Sequence, residues 1–76
     1  MQGDLVLDCK GLSCPMPILK LAMAMKKLEN GKVIEMYGTD PGSRDDVPAW
    51  CERTGHTLVE MLEVEDGFTF FIRCEK

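Results

Sequence analysis

At 76 residues the chain has room for one domain with a small core, so a single unit over residues 1–76 is expected. Its 45% hydrophobic and 29% charged residues form a globular balance, without the repeats or low-complexity runs of a disordered chain. A formal charge of −4 argues against direct nucleic-acid binding, which draws on clustered Lys and Arg, and no run approaches the roughly 18 apolar residues of a membrane span.

In chain order, DLVLD has the pattern of a short strand, closed by the turn-like CKGLS. From Pro15 or Pro17 to Leu28, the residues Ile18, Leu21, Ala22, Met25 and Leu28 recur at helical spacing, and ENGK supplies the stop through Asn30 or Gly31. KVIEMYG is a second strand by its Val, Ile and Tyr content, and TDPGS is a loop. A second helix is expected from Ser43 as cap, with Asp46 answering it in a capping box. Pro48 then falls beyond the first turn and predicts a kink or a late start. Val47, Trp50, Cys51 and Thr54 share one face of that helix, and Gly55 ends it. TLVEMLEVE and FTFFIRCEK form a hairpin around a two-residue DG turn, with Phe68, Phe70, Ile72 and Cys74 alternating on one face. The order βαβαββ predicts a two-layer α/β sandwich, a four-stranded mixed sheet covered on one face by two helices, with the strand order open.

The stretch GLSCPMPILK sets a cysteine before two spaced prolines at the mouth of the first helix. Pro15 suits a first helical turn, where a missing N–H leaves no bond unmade, and the residue before a proline is biased out of the helix. Cys14 is therefore expected as the cap, its sulfur at the positive end of the helix dipole and its thiol modestly biased toward thiolate. Lys10 and Lys20 are the nearest cations in sequence, and residues 1–32 carry a net charge of +2 against −6 for the remainder. A reactive thiol is the favoured reading of Cys14; a small buried apolar residue is the plainer one.

Cys9, Cys14, Cys51 and Cys74 lack the close pairs of a structural zinc site, so no metal is expected. MQGDLVLD has no basic segment leading into a long apolar run, which points to the cytoplasm and to reduced thiols. Cys51 and Cys74 fall on the apolar faces of their elements and are expected in the core, and Cys9 as an ordinary strand-end residue or a resolving thiol. The single histidine, His56, follows Gly55 far from Cys14 and is expected in a surface loop, so no Cys–His hydrolytic pair is predicted. A lone thiolate can instead exchange sulfane sulfur with other thiols, needing neither metal nor organic cofactor.

Together LDCKGLSCPMPILK and TDPGSRDDVPAWCERTGH resemble the TusA-like family of small sulfur-carrier proteins, also called SirA or YedF-like, over nearly the whole chain. The most specific elements are Cys14-Pro15-x-Pro17 after Gly11-Leu12, then Asp40-Pro41 and Asp46-Val47-Pro48-x-Trp50-Cys51. The resemblance implies a single sulfur-carrier domain of the same βαβαββ fold, with Cys14 as the persulfide-carrying cysteine and Pro15 and Pro17 as its structural support. It implies a sulfur-donor protein, which in the family is a cysteine desulfurase or a rhodanese-like or DsrE-like protein. It also implies an acceptor protein in tRNA thiolation, molybdenum cofactor assembly or sulfur metabolism. In the resemblance, Cys9 stands where many members carry a non-thiol residue, so a Cys9–Cys14 disulfide is a competing fate. Arg44, Asp45 and Asp46 are expected as a solvated helix start.

Met23 shares a helix face with Lys20 and Lys27, and these three are expected to rim a partner surface around Cys14. Three function classes follow: a sulfurtransferase acting as persulfide carrier, a non-catalytic regulatory or adaptor module, and a thiol redox sensor using Cys9 and Cys14.

Overall fold

Branched and aromatic residues in short alternating runs and one strongly amphipathic segment produce the expected element order. The strands are β1 (Leu5–Cys9), β2 (Val33–Gly38), β3 (Thr57–Val64) and β4 (Gly67–Arg73), and the helices are α1 (Met16–Lys27) and α2 (Ser43–Thr54). They are seen in a computed structural model that describes residues 3–76. The sheet order is β1-β2-β4-β3, with β1 parallel to β2 and the other two pairings antiparallel. Each helix thus crosses between two parallel strands, and both pack on the same sheet face.

That face carries Cys9 from β1, Ile34 and Met36 from β2 and Phe68, Phe70 and Ile72 from β4, all buried against Leu21 and Met25 of α1 and Val47, Trp50 and Cys51 of α2. Each large side chain closed off here contributes about 1.5–3 kcal/mol relative to exposure, so the small core depends on all of them. Cys74 lies one residue past β4, yet it is fully buried and its thiol donates to the Leu28 carbonyl at 3.6 Å. The apolar faces expected for α1 and the last strand are those observed, and Cys51 and Cys74 are core residues.

Four local expectations are corrected. The N-cap of α2 is Gly42 rather than Ser43, and no capping box forms. The Asp40 carbonyl accepts the Ser43 N–H at 2.9 Å, which starts the helix earlier and turns Ser43 into the core at 2% exposure. Pro48 does not delay the helix, which is continuous from Ser43 to Thr54 around it. In α1 the N-cap is Pro15, not Cys14, and the helix stops at Lys27 with Leu28 extended, before the expected Asn30 or Gly31. In the hairpin, Val64 pairs with Gly67, so the two turn residues are Glu65 and Asp66. Gly67 belongs to the strand at φ 153°, where an added Cβ would lie 2.2 Å from the Gly38 carbonyl oxygen. Packing of β4 against the end of β2 therefore sets the turn position, overriding the local DG preference. Gly55 ends α2 in the left-handed region at φ 87°, as its sequence position predicts.

Candidate functional site

Two loops meet where parallel strands β1 and β2 end. The first, residues 10–15, leads into α1; the second, residues 39–42, leads into α2. They are joined by side chains of the second loop. The Thr39 hydroxyl accepts the Gly11 N–H at 2.9 Å, and the Asp40 carboxylate accepts the Cys14 N–H at 2.9 Å and the Gly42 N–H at 3.1 Å. Within the first loop the Ser13 carbonyl accepts the Met16 N–H at 2.9 Å. Pro17 lies in the first turn of α1 and is buried, so its missing N–H leaves no helical bond broken. The Cys14–Pro15 peptide is cis.

Cys14 is exposed, whereas Cys9, Cys51 and Cys74 are buried. Its sulfur borders a cleft of about 200 Å³ between the helices, lined by Cys14, Pro15 and Ile18 on one side and Asp46, Ala49, Trp50 and Arg53 on the other. The thiol is thus held by the loop that enters α1, and the facing wall of its cleft comes from α2.

The electrostatics run opposite to the expected depression of the thiol pKa. Partial desolvation in the cleft pushes the Cys14 thiol up, and the neighbouring Asp46 carboxylate adds to this, with Asp40 contributing further charge. The helix-dipole argument fails because Pro15 rather than Cys14 caps the helix, the Cys14 N–H is taken by Asp40 and the Met16 N–H by the Ser13 carbonyl. The nearby lysines do not compensate: Lys10 lies over the Tyr37 ring at 5.5 Å, and Lys20 reaches the Asp8 carbonyl at 3.5 Å. Burial also raises the Cys9 thiol, an effect Lys20 offsets in part and Asp8 reinforces, and it pushes the Cys51 thiol up to about 11.

The expected site residues divide. Cys14 and Pro15 line the cleft directly and Pro17 anchors the turn beneath them. Lys20, Met23 and Lys27 do not line it. Met23 and Lys27 border a separate groove with Asp4, Leu5, Ala24 and Leu28. Lys27 is 13 residues beyond Cys14, about 20 Å along the helix. Arg44 is paired with Glu63 at 2.8 Å over the Phe68 ring, away from the cleft, whereas Asp46 faces the thiol. His56 stacks on Trp50 with ring centroids 5.4 Å apart, and its Nδ1 accepts the Glu75 N–H at 3.0 Å, so it props the cleft wall from behind. The contributions of Asp40, Trp50 and Arg53 were not expected from sequence; the only signal was that all three fall in TDPGSRDDVPAWCERTGH, a segment that carries the family resemblance.

Among the described residues no group of three or more His, Cys, Asp or Glu is arranged to hold a metal ion, and no helix is long and apolar enough to cross a membrane. The family model described as sulfurtransferase TusA matches residues 5–74. The protein named "Putative sulfur carrier protein YrkI" of Bacillus subtilis is 44% identical over 73 residues, spanning 96% of this chain and 97% of that one. The sulfur carrier protein TusA of Pseudomonas putida is 37% identical over 70 residues, 92% of this chain and 88% of that one. The crystal structure of a SirA-like protein from Desulfitobacterium hafniense shares the fold with a TM-score of 0.82 and 26% identity, covering 95% of this chain and 99% of that one.

Proposed function

The chain belongs to the TusA sulfurtransferase family, and from that premise we propose that it is a sulfur carrier in which Cys14 takes up sulfane sulfur as a persulfide and delivers it to an acceptor protein. The observation that carries this reading is the contrast among its thiols: Cys14 is exposed at the mouth of a cleft, and the other three cysteines are buried. In loading, the Cys14 thiolate attacks the outer sulfur of a donor persulfide. The donor's S–S bond breaks as the new one forms, and the donor leaves as a thiolate that takes up the proton Cys14 gave away. Delivery repeats the exchange with an acceptor thiolate attacking the carried sulfur. Neither step changes the overall redox state, and neither requires a metal or organic cofactor.

The donor in this reading is a cysteine desulfurase or a rhodanese-like or DsrE-like protein. The face of α1 bearing Lys20, Met23 and Lys27 extends the docking surface beyond the cleft; Met23 is 63% exposed. A redox-sensor role with Cys9 is less well supported, because that thiol is fully buried and its pKa is raised. The test is intact-protein mass spectrometry after incubation with a cysteine desulfurase, pyridoxal phosphate and cysteine. A gain of about 32 Da, removed by reductant and absent in Cys14→Ser, is the expected result. No gain with this donor or with a rhodanese and thiosulfate, under conditions where each donor loads a known acceptor, would overturn the reading.

A further inference from the structure

Two carboxylates lie beside Cys14, and the one cation lining the same cleft, Arg53, forms an ion pair with neither. Asp40 binds its backbone N–H at 2.9 Å, and Asp46 projects into the cleft that the sulfur borders. Among the described residues neither carboxylate is paired with a Lys or Arg within 4 Å; the ion pairs present are Arg44–Glu63 and Arg73–Glu75. Arg53 borders the cleft without pairing with Asp46, and the charged groups lining it are Asp46 and Arg53 alone. A carboxylate in the same cleft as a thiol favours the protonated form, because its charge repels the thiolate that sulfur exchange requires.

We propose that Asp46, assisted by Asp40, is an electrostatic latch that keeps Cys14 protonated until a cationic side chain of the sulfur-exchanging partner enters the cleft and neutralises it. This rests on Cys14 being the sulfur-carrying residue. Asp46 is a positioning residue: it forms no bond to sulfur and acts through the thiol. The same logic governs both directions, since Cys14 must be a thiolate both as attacking group and as leaving group. A carrier latched in this way neither collects sulfur from nor loses it to freely diffusing small thiols at the rate an unshielded thiolate would. The partner's recognition element is thus a Lys or Arg placed beside its own sulfur atom, complementary to the Asp46 carboxylate in the cleft.

The latch can be tested without knowing the partner, using small disulfides of different charge. Exchange of Cys14 is followed with cystamine (cationic), bis(2-hydroxyethyl) disulfide (neutral) and dithiodiglycolate (anionic), each rate normalised to that of N-acetylcysteinamide. Wild type is expected to favour cystamine over the neutral reagent by severalfold more than the reference thiol does, and dithiodiglycolate to be slowest. In Asp46→Asn this charge preference falls, and the pH profile of iodoacetamide alkylation moves toward lower pH, with reaction near pH 7 faster by up to on the order of tenfold. Asp45→Asn removes the same formal charge from the same helical turn without touching the cleft and is expected to behave as wild type. An Asp46→Asn profile that does not move, or one matched by Asp45→Asn, would overturn the proposal. If Asp46→Asn does not fold, wild type in low and high salt decides the matter: a cystamine preference that survives salt refutes the latch. No step reads persulfide loading, so failure of the carrier reading would appear only in the mass spectrum and failure of the latch only here.

Discussion

Replacing Asp40 by Ala removes the side chain that bridges Cys14 in the thiol loop and Gly42 at the start of α2, leaving Thr39 to hold Gly11. Its two oxygens accept different backbone donors, Oδ2 from Cys14 and Oδ1 from Gly42. A hydrogen bond to a charged group contributes about 1.5–3 kcal/mol net when well buried, and water can partly replace these half-exposed ones, so about 1 kcal/mol each is the working figure. The expected loss is about 2 kcal/mol, or a fall in Tm on the order of 10 °C for a chain of this size. Urea unfolding should show a lower midpoint at unchanged slope, and amide exchange should accelerate at Cys14 and Gly42 while the core of β4 changes only with global stability. Asp40→Asn retains a single acceptor oxygen, can satisfy only one of the two donors, and should fall between Ala and wild type. An Asp40→Ala variant within about 0.5 kcal/mol of wild type, with no faster exchange at Cys14, would refute the idea that this carboxylate holds the reactive loop.

Three further outcomes are expected. Limiting iodoacetamide near pH 8 should label native protein once, at Cys14, and denatured protein at all four cysteines, as read by peptide mapping; labelling of Cys51, whose thiol is pushed up to about 11, in the folded state would contradict the burial described above. Gly67→Ala should cost several kcal/mol and abolish cooperative unfolding, because the new Cβ would sit 2.2 Å from the Gly38 carbonyl oxygen; a folded variant of near-native Tm would require β2 and β4 to part at that point. Thr57 and Arg73 hold the Glu75 carboxyl below its ordinary value of 4.5, so it contributes stability that is complete above that pH and is lost as the pH falls through the lower folded value; Glu75→Gln should flatten this part of the acid limb of a stability–pH curve.

What could be read from the chain was whatever local pattern controls. The apolar stripe from Ile18 to Leu28 is set by spacing alone, and the two prolines after Cys14 place it at a helix mouth whichever residue is the formal cap. The thiol's charge environment was not legible, because Asp40 and Asp46 lie 26 and 32 residues away and reach Cys14 only once β1 and β2 have paired in parallel. A helix N-terminus read in isolation predicts stabilised thiolate, and desolvation in the cleft together with two carboxylates from elsewhere reverses the sign. The start of α2 was misplaced for a related reason: backbone bonds in the Asp40–Gly42 turn act before any side-chain cap at Ser43 can. Strand order likewise depends on which edges meet, information no single segment holds.

The last residues are stitched to the end of α1 remote from the thiol: the Gly31 N–H donates to the Cys74 carbonyl, the Lys76 N–H to Asn30, and the Lys76 ammonium to the Lys26 carbonyl. With Cys14 just before the helix, the molecule has a thiol end and a holding end, one helix length or about 18 Å apart. Anchoring it to a bead or sensor chip through the holding end would leave the sulfur-bearing tip facing solution, whereas coupling through a thiol would consume the group to be observed.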